Sequence, residues 1–259
     1  MDFTAFPPIA AVLNGLSAVV TGIGEGIEPF VGSAAPVLAI ALLTVAVRLL
    51  LLPVARSQVK AELTRRRLAP TVAAIRKRHA ERPEVMNREL MDLYAREKAS
   101  PMAGCLPTLA QAPVLSAVYA LFLHPQLSGH ANVLLTQTFA GVPLGSNLFA
   151  AIGSSIVNVW VFIVLLAVLA TAVELTRRAN LRWAGSASTS EAQIVPGMAT
   201  MMRVLPFATV VFAAIAPLAA AVYLVTSAVW TFVERSVLRR VLSRRAAASG
   251  PAAGDALTA

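Results

Sequence analysis

The chain has 259 residues, of which 57% are hydrophobic and only 14% carry a charge. Soluble domains contain about 25% charged residues, so this composition excludes an ordinary soluble domain and a disordered chain. The single cysteine, Cys105, excludes a disulfide bond within the chain. The mean hydropathy of +0.71 and the net charge of +9 instead predict a membrane protein that carries basic segments.

Charged residues are absent from long stretches of the sequence, and these stretches predict the membrane spans. Lys98 and Glu174 are separated by 75 uncharged residues, and Arg203 and Glu234 by 30. A helix needs about 20 apolar residues to cross roughly 30 Å of hydrocarbon, so the first stretch has room for two spans and a loop. Because no alternating pattern indicates strands, we predict an all-α polytopic membrane protein.

The basic residues predict the orientation of the spans. Twelve of the 22 Lys and Arg residues lie between Arg56 and Lys98, whereas residues 1–47 and 124–147 have none. Positive charge is retained on the cytoplasmic side of a membrane, so the two segments without it should be external. The N-terminus is therefore predicted to lie outside.

The last uncharged run, 204–233, would be about 45 Å long as one helix, which is too long for one span. A turn near Pro217 divides it into two short spans and returns the arginine-rich C-terminus to the cytoplasm. The predicted organisation in chain order is an external N-terminal segment with an interfacial helix (1–35), span one (36–55), a cytoplasmic basic helical hairpin (56–99), span two (105–123), an external loop (124–147), span three (148–173), a cytoplasmic loop (174–203), spans four and five as a short hairpin (204–234) and a cytoplasmic tail (235–259). The apolar residues 9–23 either lie on the outer interface, as predicted here, or form an additional short span.

The segment between the first two spans predicts a pair of amphipathic helices. Pro83 disfavours helix at Arg82, so the first helix should end before it. Apolar residues recur at roughly helical spacing on both sides of this break. Residues 56–98 carry 12 basic and six acidic residues. This charge either retains the segment in the cytoplasm or forms a docking surface for anionic lipid, ribosomal RNA or a nascent chain.

Arg48 lies inside an apolar span, about six residues from its cytoplasmic end. An arginine at mid-span costs about 2.5–3.5 kcal/mol on insertion scales, which the surrounding Leu and Val residues can offset. It either snorkels to the membrane surface or faces a wet, cationic cavity, and the cavity is predicted here. Four other polar residues of the spans either share this cavity or form hydrogen bonds between helices: Gln111, Asn158, Thr226 and Ser227.

No constellation of residues in the sequence indicates an enzyme. The chain lacks a Gly-x-Ser-x-Gly motif and a phosphate-binding loop. His124 and His130 have no carboxylate nearby in the sequence, so a metal site is not predicted, and Cys105 is expected to be a packing residue. We therefore expect no catalytic residue, no metal and no cofactor.

Several motifs resemble the YidC/Oxa family of membrane protein insertases. The most distinctive are LYAREKASP at residues 93–101, GCLP at 104–107 and QAP at 111–113. The family pattern also includes VRLLLLP at 47–53 followed by a basic hairpin, MRVLP at 202–206, and Pro217 with Tyr223 and Ser227. The resemblance covers about residues 30–242.

The resemblance implies a five-helix core with a hydrophilic groove that opens to the cytoplasm and to lipid. It assigns the groove arginine to Arg48 and a groove position in span two to Gln111. Tyr223 is predicted to line the groove as well, together with Asn158, Thr226 and Ser227. Three residues depart from the family pattern and predict a less polar wall in span five: Leu218, Ala219 and Ala228.

The implied function is insertion of nascent membrane proteins, with the ribosome, the signal recognition particle receptor, the Sec translocon and membrane lipids as further partners. Arginine outnumbers lysine 19 to 3 and no transit peptide is evident, which favours the plasma membrane of a high-GC bacterium. Two rival interpretations stay open. One is a small-solute transporter or channel with Arg48 as an anion site, and the other is a non-catalytic assembly scaffold.

Overall fold

The structure of the chain is a computed structural model that describes residues 7–97, 99, 120–123, 126–127, 130–154, 156–184 and 198–248. The helices are α1 (Pro7–Val31), α2 (Ala35–Leu50), α3 (Leu52–Arg78), α4 (Pro83–Arg96), α5 (Val133–Thr136), α6 (Leu148–Ser154), α7 (Ile156–Ala184), α8 (Met198–Ile215) and α9 (Leu218–Ala248). A single 3-10 turn, Gly32–Ala34, joins α1 to α2. The strands are β1 (Gln126–Leu127), β2 (His130–Ala131), β3 (Thr138–Phe139) and β4 (Val142–Pro143).

Among the described residues, three helical stretches are long and apolar enough to cross a membrane: Leu13–Leu50, Asn158–Trp183 and Leu218–Arg245. A fourth apolar helix, Val204–Ile215, is shorter. Several spanning helices with no extended sheet are the architecture that satisfies backbone hydrogen bonds in hydrocarbon. The prediction of an all-α polytopic membrane protein is therefore confirmed at this level. Predicted span two lies mostly outside the described residues.

A proline causes the helix break between α2 and α3. The predicted first span continues to residue 55, but α2 ends at Leu50 and α3 begins at Leu52. Pro53 occupies the first turn of α3, where its missing N–H costs nothing. A helix that continued straight through would lack the bond from residue 53 to the carbonyl of Leu49.

Pro217 causes the break between α8 and α9. The first turn of a helix leaves backbone N–H groups without partners inside the helix. At the start of α9 the N–H of Leu218 donates to the carbonyl of Ser146 at 2.8 Å, and that of Ala219 donates to the carbonyl of Leu144 at 3.0 Å. The segment after β4 therefore anchors the beginning of α9.

That anchoring segment is ordered by two small β-hairpins. β1 pairs with β2, and β3 pairs with β4, both antiparallel. Ala140 and Gly141 both have positive φ, at 52° and 81°, as a two-residue turn between antiparallel strands requires. Asn132 caps α5 by accepting from Leu134 N–H, and its amide donates to the Leu121 carbonyl at 2.8 Å. Its buried side chain thus joins this segment to the residues at the end of predicted span two.

The helix α7 is longer than the span predicted for it. It continues from the predicted end of the span, residue 173, to Ala184. Glu174 and Arg177 pair one turn apart at 2.7 and 2.8 Å, which stabilises the helix beyond the apolar run. Of the predicted loop 174–203, residues 174–184 and 198–203 are therefore helical, and 185–197 lie outside the described residues.

The described residues form two compact units. Unit 1 contains those within 1–50, 111–177 and 200–232, and unit 2 those within 51–110, 178–199 and 233–259. Of the 35 charged residues of the chain, 28 fall in the sequence ranges of unit 2. These ranges carry a net charge of +10, against −1 for the ranges of unit 1. Unit 1 is therefore the part suited to hydrocarbon.

Unit 1 has one continuous hydrophobic core, to which α1, α2, α7, α9 and the β3–β4 hairpin all contribute. Its largest fully buried side chains include Phe122, Phe162, Leu13, Ile40, Leu144 and Leu218. Other large apolar side chains point outwards, as expected of helices that contact lipid: Ile163, Val164, Val168, Val204, Val211 and Ile215.

In unit 2 the helices α3 and α4 are joined by charged contacts. Glu89 of α4 accepts from Arg78 at 3.3 Å and lies 2.6 Å from His79. Arg67 of α3 pairs with Glu97 at the end of α4. These contacts are exposed, and none of the side chains of α4 is buried. Apolar side chains of α3 are buried as well, so packing contributes to unit 2 beside these surface charges: Val59, Leu68, Val72 and Ile75.

A second set of contacts in unit 2 joins α3 to the ends of α7 and α9. Buried Arg239 donates to Glu62 at 2.6 and 3.3 Å and to Asn180 at 2.8 Å. The guanidinium groups of Arg239 and Arg66 lie 5.3 and 4.7 Å from the ring centroid of Trp183. We call these five residues the Arg239 cluster. It connects segments that are far apart in sequence.

Candidate membrane-embedded site

The predicted cavity arginine contacts a hydroxyl on another helix. Arg48 lies in the last turn of α2, and its Nη2 donates a hydrogen bond to Ser227 Oγ of α9. The two residues are separated by 179 positions in sequence, and their contact is partly buried. Both belong to unit 1. The arginine of one candidate span therefore has a polar partner on another.

Tyr223 is the third member of this arrangement. It lies one helical turn before Ser227 on the same face of α9, and its side chain is buried. Its phenol interacts with Ser227 and with the charge of Arg48. The ring of Phe122 lies 6.1 Å away between centroids and fixes the position of the tyrosine from the other side. We call Arg48, Tyr223 and Ser227 the Arg48 site.

Hydroxyl groups surround the Arg48 site along both helices. Thr44, buried one turn before Arg48, donates to the Ile40 carbonyl at 2.7 Å. Thr231, one turn after Ser227, donates to the Ser227 carbonyl at 2.8 Å. A hydroxyl that donates to its own backbone keeps acceptor lone pairs for other donors. The sequence interpretation missed both threonines, although their spacing of four residues from Arg48 and Ser227 was a usable signal.

The other three predicted site residues are not part of the Arg48 site. Thr226 bonds the Val222 carbonyl of its own helix at 2.9 Å. Asn158 lies near the start of α7 and is half-buried, and within the described residues it does not hydrogen-bond Arg48 or Ser227. Gln111 lies outside the described residues. The structure thus brings together three of the six predicted residues.

Two of the residues that depart from the family pattern do not line the Arg48 site. Leu218 and Ala219 have no exposed surface and belong to the hydrophobic core of unit 1, beside the segment after β4. Their apolar side chains therefore fill the core. Ala228 follows Ser227 directly and is half-buried.

The chemistry of the Arg48 site is that of a cationic surface inside a helix bundle. A guanidinium has five N–H donors, and Ser227 accepts from one of its nitrogens. Among the described residues no carboxylate pairs with Arg48, so its charge is not neutralised within that part of the chain. The site can therefore attract an acidic group or hold water. The described residues contain no group of three or more potential metal-binding side chains.

Several helices long enough to span a membrane, with an arginine of one bonded to a serine of another, define a polytopic α-helical membrane protein. Residues 27–245 match the family described as 60Kd inner membrane protein, and the chain belongs to this family. The resemblance to the YidC/Oxa family is thereby confirmed.

The matches cover only part of each relative. It is 35% identical over 119 residues to a membrane protein insertase YidC of Clostridium perfringens, which covers 43% of this chain and 50% of that protein. It is 33% identical over 186 residues to a membrane protein insertase YidC of Zymomonas mobilis, covering 71% of this chain and 30% of that protein. The chain thus spans half or less of the length of these relatives.

Proposed function

We propose that the chain is a membrane protein insertase, without catalytic residues, that moves short polar segments of nascent membrane proteins across the bilayer. Family membership supports the class of activity, since the relatives of Clostridium and Zymomonas carry this description. The observation that carries the proposal is the Arg48 site. A partly buried cation without a carboxylate partner in the described chain fits transient binding of polar segments.

The physical problem is the cost of placing polar groups in hydrocarbon. A wet, cationic groove that extends partway across the inner leaflet shortens the apolar distance that a polar segment must cross. The apolar span of the client then leaves sideways into lipid, where burial of its side chains drives the step. A serine partner suits this role, because it orients the guanidinium without cancelling its charge. Asn158, Thr226 and Gln111 are proposed as further groove residues.

The proposed topology has five spans, with the N-terminus outside and the C-terminus in the cytoplasm. The charge division supports it, because the boundaries between the units at residues 50, 177 and 232 fall near the ends of predicted spans one, three and five, where basic sequence follows. α1 contacts both α2 and β1, as an interfacial helix beside the external loop would. α3 and α4 would form the cytoplasmic hairpin.

The proposed partners follow from the same function. Nascent membrane proteins are the clients, and the surrounding lipids receive their spans. The ribosome, the signal recognition particle receptor and the Sec translocon are proposed as partners that deliver or share clients. The plasma membrane of a bacterium is the proposed location.

Rescue of a bacterial strain depleted of its own insertase tests this function. The wild-type chain should restore growth, and Arg48→Ala should restore it poorly. Arg56→Ala is the matched control, since Arg56 is exposed and lies directly beyond the span. A small-solute transporter or a passive scaffold would not rescue growth at all. Failure of the well-expressed wild-type chain to rescue would contradict the proposal.

A further inference from the structure

Unit 2 contains a cavity that the proposed insertion mechanism does not use. Its volume is about 280 Å³, and it lies between α3 and α9. The apolar part of its lining is Ala55 and Val59. The polar part consists of Gln58, Glu62, Arg65, Glu234 and Arg235. This volume is just below the range of about 300–1,000 Å³ that is typical of small-molecule sites, so only a small group fits.

The cavity lies where two helices change from apolar to charged sequence. On α9 the apolar residues continue to Val233, and Glu234 and Arg235 follow directly. On α3 the lining begins at Ala55, which Arg56 follows. The depth of such a boundary in a bilayer is that of the headgroups, and the proposed topology assigns it to the cytoplasmic leaflet.

The charges that line the cavity leave one guanidinium uncompensated. Glu62 is occupied by Arg239, which donates to both of its carboxylate oxygens. Gln58, Arg65 and Glu234 each have an interaction within the chain. Arg235 is half-buried and has no ion pair or hydrogen bond of its side chain among the described residues. The lining therefore offers one positive charge to a ligand.

We propose that this cavity binds the headgroup of a single anionic phospholipid, with the phosphodiester on Arg235. A phosphodiester carries one negative charge, and the planar guanidinium fork matches its oxygens in a bidentate geometry. Carboxylate and amide oxygens of Glu234 and Gln58 accept hydrogen bonds from headgroup hydroxyls, which favours a phosphatidylglycerol-type headgroup over a choline one. The assignment to the inner leaflet rests on the proposed topology, whereas the headgroup chemistry does not.

The test measures phosphatidylglycerol bound to the purified full chain in detergent, by native mass spectrometry. Arg235→Gln should weaken binding of the tightest lipid about tenfold, equivalent to about 1.4 kcal/mol. Arg240→Gln is the matched control, because Arg240 is an exposed arginine five residues later on the same helix. It should change the affinity less than about twofold. Equal weakening by both variants would mean diffuse attraction to a basic surface and would overturn the proposal.

Two further ligands test whether the bound phosphate group belongs to a lipid headgroup or to free phosphate. Phosphatidylcholine should bind at least about tenfold more weakly than phosphatidylglycerol, and inorganic phosphate should not displace the bound lipid at the same concentration. Equal binding of phosphatidylcholine, or displacement by inorganic phosphate, would each overturn the lipid assignment. If Arg235→Gln does not fold, Arg65→Gln decides, with about threefold weakening expected and unchanged binding contradicting the site. Lipid binding is measured without insertion, so its failure is distinguishable from failure of the proposed insertase function.

Discussion

Arg48 is a charged residue in an apolar stretch, and its hydrogen-bond partner is neutral. An arginine at membrane depth is expensive unless it pairs or reaches water. Pairing with a carboxylate would cancel the charge, whereas the hydrogen bond to Ser227 directs the guanidinium and preserves it. Thr44 and Tyr223 extend the polar surface along both helices. The site is therefore organised to hold positive charge in a fixed place rather than to neutralise it.

Replacement of Arg48 should affect the insertion of a client according to the charge of the segment that crosses the membrane. At 4 Å and an effective dielectric of 20, an arginine–carboxylate contact is worth at most about 4 kcal/mol before desolvation. Arg48→Ala should fold but insert clients with acidic external tails poorly, and clients with neutral tails less so. Arg48→Lys should retain much of the activity, since it keeps the charge. Insertion assays on matched acidic and neutral clients measure the difference.

The control for these variants is Arg56→Ala, which removes an exposed charge from unit 2 and should leave both client classes unaffected. Wild-type activity of Arg48→Ala on both classes would mean that the arginine only snorkels. Equal loss on both classes would point to a structural role for the hydrogen bond to Ser227.

Among the elements, α3, α7 and α9 depend on the Arg239 cluster. Its central arginine is 5% exposed and makes three hydrogen bonds to Glu62 and Asn180. The indole Nε1 of Trp183 is buried without a hydrogen-bond partner in the described chain. The contact of its ring with two guanidinium groups offsets that cost in part.

Removal of Arg239 should destabilise unit 2, because it leaves Glu62 without its partner and opens the packing around Trp183. Breaking a buried pair costs about 3–5 kcal/mol, and the partial exposure of Glu62 places Arg239→Ala at the lower end. Arg240→Ala, an exposed neighbour, should change stability by less than about 0.5 kcal/mol. Thermal unfolding of both variants in detergent measures this. Equal melting temperatures would show that the cluster contributes nothing.

The paired helices α3 and α4 should be necessary for insertion but not for folding of unit 1. Replacing residues 70–91 by a short Gly-Ser linker removes most of the pair while sparing Glu62 and Arg66 of the Arg239 cluster. The replacement removes exposed charge pairs and the buried side chains of Val72 and Ile75, all of which belong to unit 2, so the fold of unit 1 should be kept. Insertion assays and circular dichroism on the same preparation check both parts. Full activity of the shortened chain would reduce the pair to a solvated charge anchor.

Proline positions explain why some helix ends could be predicted from sequence. Pro83 and Pro217 act through local backbone sterics, and the structure has breaks at His79–Arg82 and at 216–217. The end of α7 could not be predicted in the same way. Asn180 and Trp183 lie beyond the apolar run, where the predicted span had already ended. Both contact Arg239, which is distant in sequence, so the local sequence does not show that the helix continues.

The charge of the Arg48 site could be predicted from sequence more easily than the pairing of its residues. A lone arginine in an apolar run is visible in sequence, but its partner lies 179 residues away and depends on how α2 packs against α9. Leu218 and Ala219 illustrate the same limit. Family comparison placed them on a groove wall, whereas tertiary packing buries them in the core of unit 1.

At the scale of the whole molecule, the main feature is the division of charge between the two units. The sequence ranges of unit 2 carry all of the net positive charge, and those of unit 1 are almost neutral. Basic segments are retained on the cytoplasmic side of a membrane, so this distribution supports the proposed orientation, with the ranges of unit 2 in the cytoplasm.

Cysteine labelling tests that orientation in intact cells and inverted vesicles. In a Cys105→Ala background, Gly129→Cys should react with a membrane-impermeant reagent from outside, and Ser188→Cys only from inside. Ser249→Cys should also react only from inside, because the five proposed spans would return the C-terminus to the cytoplasm. Labelling of Ser249→Cys from outside would contradict the pair of spans around Pro217.

Insertion into liposomes that contain this chain alone tests the central claim most directly. A single-span client with an acidic external tail would be added during its synthesis, and the protease-protected fraction measured against empty liposomes. We predict protection with the wild-type chain, and a loss of several-fold with the same amount of Arg48→Ala. Protection no greater than in empty liposomes, for a wild-type chain that is folded and correctly oriented, would contradict an insertase acting through the Arg48 site.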